Sequence, residues 1–223
     1  MLFYNKGVNM RFDKTKFTSK IVPSSTADDE TRSLAIEENR NFVKDGQVYI
    51  YGEFDFTIFK FVLPKLMNMI DDFQNQKLSM IKFHINSPGG YLSVLQNLLA
   101  LVERAKDEGI IVQTNVYSYA YSCASMLAAS GTKGFRLVSP FAEHLVHLGC
   151  VWSGLATNDV EAEREAQAMM RHFEWVRSVY SQYATIKNLK KVIHDDNYYI
   201  VGEDIIKNGL ADGMMFTYGE SKK

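Results

Sequence analysis

Hydrophobic and polar positions follow no period from residue 1 to about 44. There Pro23-Ser24-Ser25-Thr26 leads into Asp28, Asp29 and Glu30, the composition of a loop or mobile arm. From Gln47 the pattern changes. Gln47-Val48-Tyr49-Ile50-Tyr51 is a β-branched and aromatic run stopped by Gly52, which predicts the first strand of a buried sheet. Over Phe54–Gln74 the apolar residues Phe59, Val62, Leu63, Leu66, Met69, Ile70 and Phe73 recur at spacings of three and four, as in an amphipathic helix. A strand over Met80–Ile85 follows, then a helix over Leu92–Lys106 closed by Gly109, then a strand over Ile110–Val116.

This β-α-β-α-β order predicts the α/β class, with parallel strands joined by right-handed helical crossovers. A short apolar helix is expected over Cys123–Ser130, and strands over Phe135–Val138 and His144–Leu148. A long helix runs from Thr157 to about Lys187, capped by Thr157, Asn158 or Asp159. At 1.5 Å per residue it would span about 45 Å, long enough to project from the core and offer Met169, Phe173, Val176 and Tyr180 to another subunit.

The chain has 223 residues, 46% of them apolar and 23% charged, enough to bury a substantial core. A net charge of −1 provides no field for nucleic acid. The stretch Phe59–Ile70, broken by Lys60, Pro64 and Lys65, is far shorter than the ~20 residues of a membrane helix, so no membrane partner is expected. Residues 1–10 do not read as a secretory signal, and two cysteines, Cys123 and Cys150, fit a reducing compartment; a cytoplasmic location is the expectation.

Three local features carry candidate chemistry. Ile85-Asn86-Ser87-Pro88-Gly89-Gly90 lies between a strand and a helix; alone it is a tight turn, but its glycines would let backbone N–H groups approach a substrate carbonyl. Ser122 stands where a strand gives way to a helix, and the N–H of Cys123 after it would face an oxyanion, as in a nucleophile elbow. A helix-capping serine is the plain alternative. Ser125 is a competing nucleophile, but it falls inside the helix and faces the core. His144 and His147, three apart on a strand, point to opposite sides, so one of them can face the site as a base. His84, His172 and His194 read as structural. Asp195 and Asp196 are two candidates for the carboxylate that orients the base.

These segments resemble the Clp protease proteolytic subunit family, ClpP. Ile85–Gly90 is similar to its INSPGG segment, and Ser122–Arg136, with Ala128-Ala129-Ser130-Gly131-Thr132-Lys133-Gly134, to the segment carrying its catalytic serine. Ser122 and His147 are 25 residues apart (147 − 122), the family spacing. Asp196-Asn197-Tyr198 followed by Gly209-Leu210-Ala211-Asp212 resembles the catalytic aspartate and the motif after it, with one residue inserted, which leaves Asp195 open. The resemblance spans about Gln47 to Asp212.

What it implies is a ClpP/crotonase-like spiral of β-β-α units over residues 45–223, with a long handle helix at about 157–187. It implies a catalytic set of Ser122, His147 and Asp196, and an oxyanion hole from Gly90 and Cys123. No metal or organic cofactor is required. The family expectation is a homo-oligomer of two stacked heptameric rings, a tetradecamer, taking unfolded proteins or peptides from an ATP-dependent Clp unfoldase. The chain departs from the pattern at Ser118, Cys123 and Leu148-Gly149. Two other functions compete: a non-catalytic ring subunit or assembly scaffold, and an acyl-CoA enzyme of the crotonase type, which has no use for a serine and histidine pair.

Overall fold

Strand formation begins earlier than the apolar pattern indicates. In the computed structural model, which describes residues 41–73, 80–149, 158–195 and 197–217, β1 (Asn41–Lys44) pairs antiparallel with β2 (Gln47–Ile50). The expected arm over residues 1–44 otherwise lies outside the described residues. Asp45 and Gly46, both at positive φ, make the two-residue turn between the strands. Asn41 is polar yet buried because its Oδ1 accepts from the amides of Tyr51 and Gly52 at 3.1 and 3.2 Å.

The sheet continues in parallel from β2 to β3 (Ile81–Ser87), β4 (Val112–Tyr121), β5 (Arg136–Val138) and β8 (Gly213–Met214). Two further strands branch from β4: β6 (Glu143–Val146) pairs with it in parallel, and β7 (Tyr198–Val201) pairs antiparallel with β6. The α/β class therefore holds, with an antiparallel pairing at two edges of an otherwise parallel sheet. β4 runs five residues past the expected Val116, because it pairs with β5 early and with β6 late.

Helices cover one face. A π-helical turn, Ile58–Val62, leads into α1 (Leu63–Asp71), where Pro64 sits in the first turn and its missing N–H needs no acceptor. α2 (Leu92–Asp107) buries Val94, Leu95, Leu98, Leu99 and Val102, each worth about 1.5–3 kcal/mol against water, and Gly109 at φ 79 ends it. α3 (Cys123–Ala129) is buried on every side and lies against α2, β3, β4 and α4.

α4 (Asp159–Tyr183) has 25 residues, about 37 Å. Asn158 caps it, its side chain accepting from the Glu161 amide at 3.0 Å. It stops short of Lys187 because Ala184 turns extended and Thr185 N–H donates to Asn208 O at 2.9 Å. Val176 and Tyr180, expected on a stripe facing another subunit, are each 1% exposed within this chain, whereas Met169 stays exposed. α5 (Leu189–Asp195) and α6 (Glu203–Lys207) complete the described elements. Arg136 ties the far end together: it pairs with Asp212 at 2.5 Å and donates to the carbonyls of Ala129, Tyr183 and Gly209.

Candidate active site

Ser122 occupies the single residue between β4 and α3, and the chain must reverse there. Its backbone adopts φ 56, ψ −122, a region that L-residues avoid. The surroundings hold it: Ser122 N–H donates to Leu145 O at 2.9 Å, and its carbonyl accepts from the Ser125 amide at 3.0 Å and the Met126 amide at 3.3 Å. Strain maintained by surrounding bonds is the geometry of a side chain lifted clear of both flanking elements.

The Gly89-Gly90 turn lies directly against this corner. A Cβ on Gly89 would stand 2.6 Å from Tyr121 O and 2.9 Å from the Ser122 Cβ, and one on Gly90 would stand 2.6 Å from Phe54 O. Only glycine permits that approach. The turn is pinned by Ser87, whose hydroxyl donates to Gly52 O at 2.6 Å and accepts from the Gly89 amide at 3.1 Å. A bridge to Phe54 uses the Gly89 carbonyl and the Tyr91 amide. Cys123 closes the contact by donating its thiol to Gly90 O at 3.2 Å. Burial pushes that thiol up to about 11, so it stays protonated and able to donate.

His147 stands one residue beyond β6, which ends at Val146 rather than at the expected Leu148. Its Nδ1 lies 3.2 Å from Asn197 Oδ1, an acceptor, so Nδ1 carries the proton and Nε2 presents a lone pair. Nε2 is buried and has no hydrogen-bond partner. Burial holds this imidazole below the usual histidine range, partly offset by the Asn197 bond.

Gly90, Ser122, Cys123 and His147 line one cavity of about 640 Å³, walled by apolar side chains that include Leu92 and Met126. Four of the residues singled out from sequence therefore converge. No hydrogen bond joins Ser122 to His147. Asp196, the remaining member, lies outside the described residues, as does the Asp195 side chain at the end of α5. A second cavity of about 730 Å³, beside Lys106, Thr132, Arg136 and Asp212, is larger, but no histidine lines it.

The other serine and histidine also meet, elsewhere. Ser125 Oγ lies 3.0 Å from His144 Nδ1 with both residues fully buried, and neither lines the cavity. Burial alone pushes His144 down to about 3. His84 is structural, held between Gln47 Oε1 and the Tyr117 hydroxyl. The His194 side chain lies outside the described residues.

Three residues near the site were given no part in it by the sequence, in which His172 reads as structural and Tyr180 as part of an outward stripe. Asn197 orients His147. His172 lines the cavity, its Nε2 3.1 Å from Leu148 O, and Tyr180 donates its hydroxyl to Ser122 O at 3.4 Å. His172, Val176 and Tyr180 lie four apart on α4, a stripe visible in the sequence once its polar members are counted with its apolar ones. Among the described residues no three His, Cys, Asp or Glu side chains gather to hold a metal ion, and no helix is long and apolar enough to cross a membrane.

A strained serine between a parallel strand and a buried helix, a glycine turn packed on it and a histidine sharing its cavity are parts that a serine hydrolase would use. The Clp protease family model matches residues 30–218, and the chain belongs to that family; it is a peptidase of the ClpP type. ATP-dependent Clp protease proteolytic subunits of Streptococcus pyogenes serotypes M5 (strain Manfredo), M49 (strain NZ131) and M1 are each 28% identical to it over 175 residues. That span is 78% of this chain and 86% of theirs.

Proposed function

We propose that this chain is a serine endopeptidase that cleaves unfolded proteins or peptides through Ser122, His147 and Asp196. One observation carries the reading: a strained serine and an imidazole whose Nε2 has no hydrogen-bond partner line the same cavity. His147 Nε2 takes the Ser122 proton as Oγ attacks the peptide carbonyl. The oxygen, now negative, is held by the N–H groups of Gly90 and Cys123. Nε2 returns the proton to the leaving amine, and water, activated the same way, releases the acyl group from Ser122.

Asp196, next to Asn197, would take over or reinforce the bond to Nδ1. The Cys123 amide has no acceptor inside α3, as expected of the first residue of a helix. Each such donor contributes a factor of about 10² to 10³ in rate. By the family likeness, the chain is the subunit of two stacked heptameric rings joined through α4, fed by a Clp ATPase in the cytoplasm.

A non-catalytic ring subunit is favoured by one observation, the missing Ser122–His147 hydrogen bond. Catalytic bonds in ligand-free sites are commonly long and tighten with substrate, so the peptidase reading stands ahead of it. Hydrolysis of a fluorogenic peptide by the wild type, together with its mass in solution, separates the two. Turnover lost in Ser122→Ala by a ring of unchanged mass supports the peptidase; no turnover by an intact wild-type ring supports the scaffold.

A further inference from the structure

Three polar side chains are sealed into the core behind the nucleophile turn. Ser125, His144 and Tyr180 are each at most 1% exposed, and none lines the cavity. They lie in a row: His144 Nδ1 meets Ser125 Oγ at 3.0 Å, the Ser125 hydroxyl neighbours the Tyr180 hydroxyl, and Tyr180 donates to Ser122 O at 3.4 Å.

The direction of every bond follows from its last member. A carbonyl only accepts, so the phenol must donate to Ser122. Its own oxygen is left facing the neighbouring Ser125 hydroxyl, and with that hydroxyl turned toward the phenol the Ser125 oxygen accepts from His144 Nδ1–H. That leaves His144 Nε2 as the unprotonated nitrogen, and it is the atom that is buried without a partner. An orphan acceptor is tolerated better than an orphan N–H, so the chain has one consistent polarity.

The Ser122 carbonyl belongs to the strained residue itself, and its other two acceptor contacts are ordinary helix-start amides from α3. Tyr180 is the contact to it from a different element. The same helix places His172 and Val176 in the cavity wall, two turns and one turn before Tyr180. A shift of α4 would therefore move both the cavity wall and the donor that holds the nucleophile's backbone.

We propose that Tyr180 is a positioning residue for Ser122: its hydroxyl, aimed by Ser125 and His144, fixes the Ser122 carbonyl and with it the direction of Oγ. The inference rests on the serine-peptidase reading. A single buried hydrogen bond shifts a conformational balance by a factor of about 2 to 10. The effect should fall on the chemical step and not on substrate affinity, because Tyr180 touches no part of the cavity.

The test compares wild type, Tyr180→Phe and Ser125→Ala in the full-length assembled protein, measuring peptide hydrolysis, the rate of phosphonylation by a fluorophosphonate, and melting. Tyr180→Phe should lower kcat and the phosphonylation rate together by about three- to tenfold, leaving KM and the acid limb of the pH profile in place. Ser125→Ala, which removes the hydroxyl aiming the phenol, should lower both rates at least about threefold, and it decides alone if Tyr180→Phe does not fold. Folded variants with both rates within twofold of wild type overturn the proposal, even if they melt earlier. A wild type that neither hydrolyses peptide nor labels at Ser122 overturns the peptidase reading, and this proposal with it.

Discussion

The backbone of Ser122 gives a prediction in which stability and activity move in opposite directions. At φ 56, ψ −122 a Cβ is held in a region nearly reserved for glycine, at a cost of about 1–3 kcal/mol. Ser122→Ala removes the hydroxyl but keeps the Cβ, so the strain remains. Ser122→Gly removes both. Against that release stands the greater freedom of glycine in the unfolded chain, about 0.5–1 kcal/mol. The difference leaves Ser122→Gly more stable than Ser122→Ala by about 1 kcal/mol, or about 2–4 °C in Tm for a chain of this size. Both variants lack the nucleophile, so the comparison isolates the backbone. Parallel urea unfolding at one protein concentration measures it, the concentration being held because assembly adds to apparent stability. A Ser122→Gly protein no more stable than Ser122→Ala would refute the claim that the corner is strained.

Other expectations follow from the charged groups. His147 is held below the ordinary 6.5, so the neutral base persists to lower pH, and kcat/KM should rise through an inflection below 6.5; an inflection above it contradicts the buried placement. The folded-state value of His144, about 3, lies below the unfolded 6.5, so only the unfolded chain takes the proton in between. Its contribution is complete above pH 6.5 and declines as pH falls toward 3, by about 3 kcal/mol at pH 4.5. The urea midpoint of the wild type should therefore fall relative to that of Ser125→Ala/His144→Leu between pH 7 and pH 4.5, and a difference that stays constant with pH would argue against it. Asp212→Asn strands a guanidinium that is 8% exposed and should cost about 3 kcal/mol, read as a fall of about 6–12 °C in Tm. Asp71→Asn, at a pair about half exposed, should leave the same melt almost unmoved.

What was legible in the sequence was local. The β-α-β-α-β order follows from apolar periods that burial enforces, and α2 appears within one residue of its expected limits. The Ser122 corner and the Gly89-Gly90 turn could be read because each depends on neighbours in the chain. β1 was hidden because its buried end is an asparagine, although Asp45-Gly46 carried a hairpin signal. α4 was read as an outward stripe because its polar members were set aside, and Tyr180 was placed at an interface when it belongs to the core. Asn197 beside His147, and Ser125 beside His144, could not be inferred from spacing, since each pair forms only when β6, β7 and α3 meet.

The measurement that bears most directly on the site is the position of a covalent adduct. The assembled protein is treated with a fluorophosphonate, digested and mapped by mass spectrometry, with His147→Ala alongside. A single adduct on Ser122, absent from the His147→Ala protein, is the expected result. Modification of Ser125 in place of Ser122, or Ser122 labelling that proceeds unchanged without the imidazole, would contradict the assignment.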